Sequence, residues 1–155
     1  MRYIELFEEK EEKEDGLYVA AYFDEKTNDK LYDLYKDFDV GIKTPKSSLH
    51  CTIVYSKEPV DFESIVYEEE QIATFKEYLL WDTQDGKTLV MVINADYLKQ
   101  RHSEAEKLGA SYDFDEYTPH ITLLKELPED FEISDIKEPD FEIIIRGEFS
   151  EPIEN

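Results

Sequence analysis

Between residues 16 and 152 the apolar pattern switches from a strand period to a helical one, and it does so twice in the same order. "GLYVAAYF" (16–23) is a β-rich apolar run, and "DEKTNDKLYDLYKDF" (24–38) follows with Leu31, Leu34, Tyr35 and Phe38 at helical spacing. Asp24 reads as the N-cap, and Gly41 lies just beyond the helix end. A polar loop with Pro45 then leads into the strand "HCTIVYS". Further on, "TLVMVIN" (88–94) is a strand and "ADYLKQRHSEAEKLGA" (95–110) a helix. Leu98, His102, Ala105 and Leu108 mark its inner side, and Gly109 is its stop. A loop rich in Tyr and Asp, with Pro119, leads into "HITLLK".

The parallel continues. "EPVDFES" (58–64) and "LPEDFEI" (127–133) each carry Pro-x-Asp-Phe-Glu, and the further strand candidates "QIATFKEYLLWD" (71–82) and "DFEIIIRGEFSE" (140–151) follow. Asp85-Gly86 signals a hairpin between the copies. Each unit is strand, helix, strand, strand, which points to an internal duplication within one domain, over about 16–82 and 87–152. The expected fold is α+β, with two pseudo-symmetric lobes whose antiparallel sheets face each other around a groove and helices outside. The first fifteen residues, mostly Glu and Lys, read as a solvated helical cap or a frayed tail.

Composition narrows the function. The 155 residues suit a single core, and eleven Tyr and nine Phe oppose disorder. No apolar run nears the ~20 residues of a membrane span, and the N-terminus is no signal peptide. A lone Cys51 fits a reducing cytoplasm. The net charge of −22 opposes binding to long nucleic acid or to an anionic membrane, because both are held through Lys and Arg. A small nucleotide is less excluded, since a few local donors outweigh a screened distant field. A cytoplasmic monomer is expected.

Two of the three histidines sit in matching phrases, "LHCTIVYS" and "PHITLLK". Strand side chains alternate, so His50 shares a face with Thr52, and His120 with Thr122. Equivalent strands of two copies, side by side, gather two imidazoles and two hydroxyls at one spot. That set suits displacement at phosphorus. One imidazole takes the proton of the attacking hydroxyl, the other protonates the leaving oxygen, and the threonines donate to the non-bridging oxygens. One such phrase is weak evidence, but two at equivalent points are not. Which histidine is base and which acid stays open. No metal or other cofactor is expected, because one Cys and three dispersed His lack ligand spacing. His102, on the inward side of the second helix, reads as a packing or local capping residue. Lys57 and Lys125, each just after a histidine strand, are candidates for positive charge near the groove mouth but read as surface.

The two phrases resemble the paired motifs of the 2H phosphoesterase superfamily, named for its two His-x-Thr/Ser motifs. The resemblance covers nearly the whole chain after residue 16. It implies metal-independent cleavage of phosphodiesters in a groove between two lobes. More narrowly, "GLYVAAYF", "RHSEAEKLGASYDFDEYTPHITL" and the "GEFSEP" ending resemble the phage anti-CBASS phosphodiesterases, which degrade the cyclic di- and trinucleotide alarms of bacterial immunity. This implies cleavage of 3′–5′ linkages in messengers such as 3′,3′-cGAMP. It also implies that Tyr18 and Glu148 contact the nucleotide. Base stacking on aromatic rings adds Tyr117 and Trp81 as candidates. The alternatives are a 2H phosphodiesterase for RNA ends or 2′,3′-cyclic phosphates, and a sponge that holds a cyclic nucleotide uncleaved.

Overall fold

The computed structural model describes residues 15–114 and 116–153. The Glu- and Lys-rich start of the chain, read above as a cap or tail, falls outside the described residues up to position 14. Seven strands and two helices follow. They are β1 (Gly16–Phe23), α1 (Glu25–Tyr35), β2 (Ile42–Lys43), β3 (Cys51–Ser56), β4 (Val66–Thr83), β5 (Gly86–Asn94), α2 (Asp96–Lys107), β6 (His120–Leu127) and β7 (Ile143–Ile153).

Both helices form where the periodicity places them. Thr27, Leu31 and Tyr35 bury one side of α1, and Leu98, His102 and Ala105 one side of α2. Asp24 caps α1 by accepting from the Thr27 amide at 2.8 Å. The helix stops three residues short of the expected Phe38, whose own amide turns back to the Tyr35 carbonyl at 3.1 Å. Gly109, at φ +110°, follows the last turn of α2 in the left-handed region that terminates helices. The Asp85-Gly86 hairpin forms, with Thr83 opposite Gly86 across the turn.

All strand pairs are antiparallel, in the order β2-β6-β5-β4-β7-β1-β3. The halves do not stand as separate facing sheets. β4 runs through both, with Val66–Ala73 against β7 and Thr74–Thr83 against β5. With β2 set aside, exchanging β1, β3 and β7 for β5, β6 and β4 turns the order of the remaining six strands into its own reverse. The sheet curls, so β3 at one end of the order returns beside β6 near the other. The convex side carries the helices and the core, where Leu31, Tyr35 and Leu98 pack with Ile53, Met91, Ile121, Leu123 and Ile143. Burying one such side chain contributes roughly 1.5–3 kcal/mol. The concave side is the groove.

Candidate active site

His50 immediately precedes β3 and His120 opens β6. Each imidazole is held the same way. His50 Nδ1 meets the Ser48 carbonyl at 2.7 Å, and His120 Nδ1 meets the Thr118 carbonyl at 2.8 Å. A carbonyl only accepts, so both Nδ1 atoms carry the proton and Nε2 is left as the reactive nitrogen. Burial, foremost, and the nearby His50 push the His120 pKa below the ordinary 6.5, while its bond to Thr118 opposes the shift.

Behind the histidines, each strand carries a β-bulge at the same place. Opposite β1, Thr52 faces Ala20 and Val54 faces Val19, which leaves Ile53 as the extra residue. Opposite β5, Thr122 faces Val90 and Leu124 faces Leu89, which leaves Leu123 extra. A bulge resets the alternation of side chains. Tyr55 and Lys125 are thereby turned to the face of Thr52 and Thr122 instead of the core.

Carbonyls that a bulge draws out of the ladder need other donors. The Thr52 carbonyl accepts from the Tyr117 hydroxyl and the Ile53 carbonyl from His102 Nδ1, both at 2.7 Å. In the other half Thr44 serves both. Its hydroxyl donates to the Thr122 carbonyl at 2.9 Å and its amide to the Leu123 carbonyl at 3.0 Å. Tyr35 of α1 in turn donates to the Thr44 carbonyl at 2.6 Å.

His50 and Thr122, one from each phrase, line a single hollow of about 260 Å³ with Lys43, Ser48 and Lys125. Tyr18 stands edge-on to His50, with ring centroids 6.3 Å apart, and its hydroxyl lies 3.2 Å from Thr52 Oγ1. Trp81 stands edge-on to His120 at 4.5 Å. Among the described residues, no group of three or more His, Cys, Asp or Glu side chains is arranged to hold a metal ion.

A family model for "Anti-CBASS protein Acb1" matches residues 15–155. The chain belongs to the Acb1 family. An Acb1 of Enterobacteria phage T4 is 40% identical over 139 residues, covering 89% of this chain and 88% of that protein. An Acb1 of Salmonella phage S16 is 45% identical over 108 residues, covering 70% of each. Among solved structures, E. coli LigT complexed with 3′-AMP superposes with a TM-score of 0.62 at 17% identity, over 90% of this chain and 88% of that one. A structure described as a phosphoesterase superposes with a TM-score of 0.66, also at 17% identity and with the same coverage. This Acb1 chain therefore has the 2H phosphoesterase fold.

Two of the residues assigned to substrate contact lie elsewhere in this Acb1 fold. Glu148 sits opposite Ala21, which itself sits opposite Cys51, so it faces away from Thr52. Its side chain is 0% exposed and takes a bidentate pair from Arg101 at 2.7 Å, a bond from the Tyr67 hydroxyl at 2.7 Å and one from the Ile65 amide at 3.1 Å. Its acceptor capacity is spent in tying β7 to α2. Tyr117 is also behind the strand, with one face stacked at 4.3 Å on His102 and its hydroxyl on the Thr52 carbonyl. Neither displacement was readable, because Glu148 depends on which face of the twisted β7 it takes and Tyr117 on where the loop before β6 folds back. The sequence reading also missed Thr44, Ser48 and Lys43 and took Lys125 for surface. The loop "IKTPKSS" that holds most of them offered Pro45 as its only local signal.

Proposed function

We propose that this Acb1 chain is a metal-independent phosphodiesterase. It cleaves 3′–5′ linkages of cyclic di- and trinucleotide messengers, such as 3′,3′-cGAMP, and so blocks CBASS immunity in the cytoplasm of a phage-infected host. The observation that carries the reading is the hollow that brings together His50 and Thr122, one from each phrase.

In the first step His120 Nε2 accepts the proton of the ribose 2′-hydroxyl as the 2′-oxygen bonds to phosphorus. The bond to the 5′-oxygen of the next nucleotide breaks, and protonated His50 gives that oxygen its Nε2 proton. Thr52 and Thr122 donate to the non-bridging oxygens, where charge gathers. The ring opens to a linear product ending in a 2′,3′-cyclic phosphate. Water then opens that phosphate with the two imidazoles in reversed roles. Tyr18 and Trp81 flank the two imidazoles and supply faces and edges for the bases.

The test is to incubate the protein with 3′,3′-cGAMP in excess EDTA and to follow products by mass spectrometry. Linear dinucleotides support the proposal, and intact cyclic substrate overturns it.

A further inference from the structure

We propose that Lys43 and Lys125 form a seat for a second phosphate, so that the enzyme holds a substrate by two phosphodiesters and cleaves the one at the histidines. This rests on the phosphodiesterase reading above. The chain has 39 acidic residues against 17 basic ones, yet no carboxylate lines the hollow, and two lysines do. Six other cations are neutralised locally. Lys36, Lys46, Lys57, Lys87, Arg101 and Arg146 each lie within ion-pair distance of an Asp or Glu. Lys43 and Lys125 pair with no carboxylate among the described residues. Lys26, Lys30, Lys76, Lys99, Lys107 and Lys137 also pair with none there, but none of them lines the hollow.

The placement of Lys125 is built into the backbone. β2 contributes only Ile42 and Lys43 and docks on β6 with Ile42 opposite Lys125 and Lys43 opposite Leu124, so by register Ile42 shares the face of Lys125, and Lys43 lines the hollow from the sheet edge. The bulge at Leu123 turns Lys125 to the face of Thr122. The corresponding bulge at Ile53 presents Tyr55 instead, 6.1 Å edge-on to Tyr18. One half of the groove is thus cationic beyond its threonine, and the other is aromatic. A ring with two phosphates and two bases fits that division. One phosphate lies between the imidazoles, the second lies over the lysines, and a base lies against Tyr18 and Tyr55.

The test compares ligands with two phosphates and with one. Dissociation constants are measured by calorimetry for 3′,3′-cGAMP and for the linear dinucleoside monophosphate ApA, both as 2′-deoxy analogues that lack the attacking hydroxyl and stay intact, on the unaltered protein and on a Lys43→Gln/Lys125→Gln variant whose melting temperature is checked. The expected result is roughly tenfold weaker binding of 3′,3′-cGAMP, the size of a partly exposed charge-assisted contact, with ApA within about twofold. Affinity for 3′,3′-cGAMP becomes less salt-dependent, and Lys125→Arg retains it. Unchanged 3′,3′-cGAMP affinity, or equal losses on both ligands, overturns the seat. If the unaltered protein binds 3′,3′-cGAMP without cleaving it, the catalytic reading fails while the seat is still decided by the same comparison.

Discussion

The two histidine strands share a backbone and differ in nearly everything that touches it. β3 and β6 each present a histidine, a threonine and a bulge one residue later, with Nδ1 bonded to the carbonyl two residues back. The first bulge is held by two side chains, Tyr117 and His102, from the second half of the chain. The second is held by a single residue, Thr44, from the first half. Each half therefore fixes the catalytic strand of the other. Symmetry is kept in the strands that present His and Thr and lost in the side chains that surround them. His120 lies against Trp81 with a lowered pKa, and His50 lies beside Tyr18.

The most damaging way to break the pair is to remove either imidazole. His120→Ala and His50→Ala should each lower kcat by about 10²–10⁴, and the double variant should fall no further than the worse single one, because the two act as a unit. Steady-state turnover of 3′,3′-cGAMP checks this, and multiplicative losses would speak against a concerted pair.

The residues opposite the two groove-averted positions sharpen the contrast in stability. Cys51, Ala21 and Glu148 line up across one half, and Ile121, Met91 and Tyr78 across the other. Glu148→Gln should cost about 3 kcal/mol in denaturant unfolding, since it breaks a pair with Arg101 at a fully buried carboxylate. Turnover per folded molecule should stay near the unaltered value. A specific loss of substrate affinity with full stability would return Glu148 to the binding site.

Next in size are the carbonyl clamps. Tyr117→Phe strands one carbonyl and Thr44→Val another, each worth roughly 1–3 kcal/mol if no water replaces the donor. Both should lower kcat more than they raise KM, because they loosen the strand that aims Thr52 or Thr122. A rise in KM alone for Tyr117→Phe would mean that its ring meets the substrate.

The smallest effect is on pH dependence. A histidine with a lowered folded pKa lets the unfolded chain bind more protons below pH 6.5, so stability is full above that pH and declines as pH falls towards the folded pKa. The melting temperature should therefore drop between pH 6.5 and 5 by more in the unaltered protein than in His120→Asn. Equal slopes would show that burial of His120 does not disfavour its charge.

Much of this was legible along the chain. The helices followed from Leu31, Tyr35, Leu98 and Ala105, and the repetition of the two phrases singled out His50, Thr52, His120 and Thr122 as candidates. What failed was anything that depended on strict alternation past the bulges. Ile53 and Leu123 look like ordinary strand residues, and counting by twos through them puts Tyr55 and Lys125 on the wrong face. Gly147 shows a similar gap. A Cβ there would lie 2.9 Å from the Tyr22 hydroxyl and 3.1 Å from Val66 Cα, so the glycine lets Tyr22 lie over β7 on the groove floor. Such close approaches are tertiary facts with no local pattern.

The division of labour between the two imidazoles is tested most directly with a 3′,3′-cyclic dinucleotide whose scissile 5′-bridging oxygen is replaced by sulfur. A thiolate leaves without being protonated, so loss of the acid no longer matters while loss of the base still does. With His120 as base and His50 as acid, His50→Ala should cleave the sulfur substrate at nearly the unaltered rate, and His120→Ala should remain as slow as on oxygen. Rescue of His120→Ala, or of neither variant, would contradict the assignment.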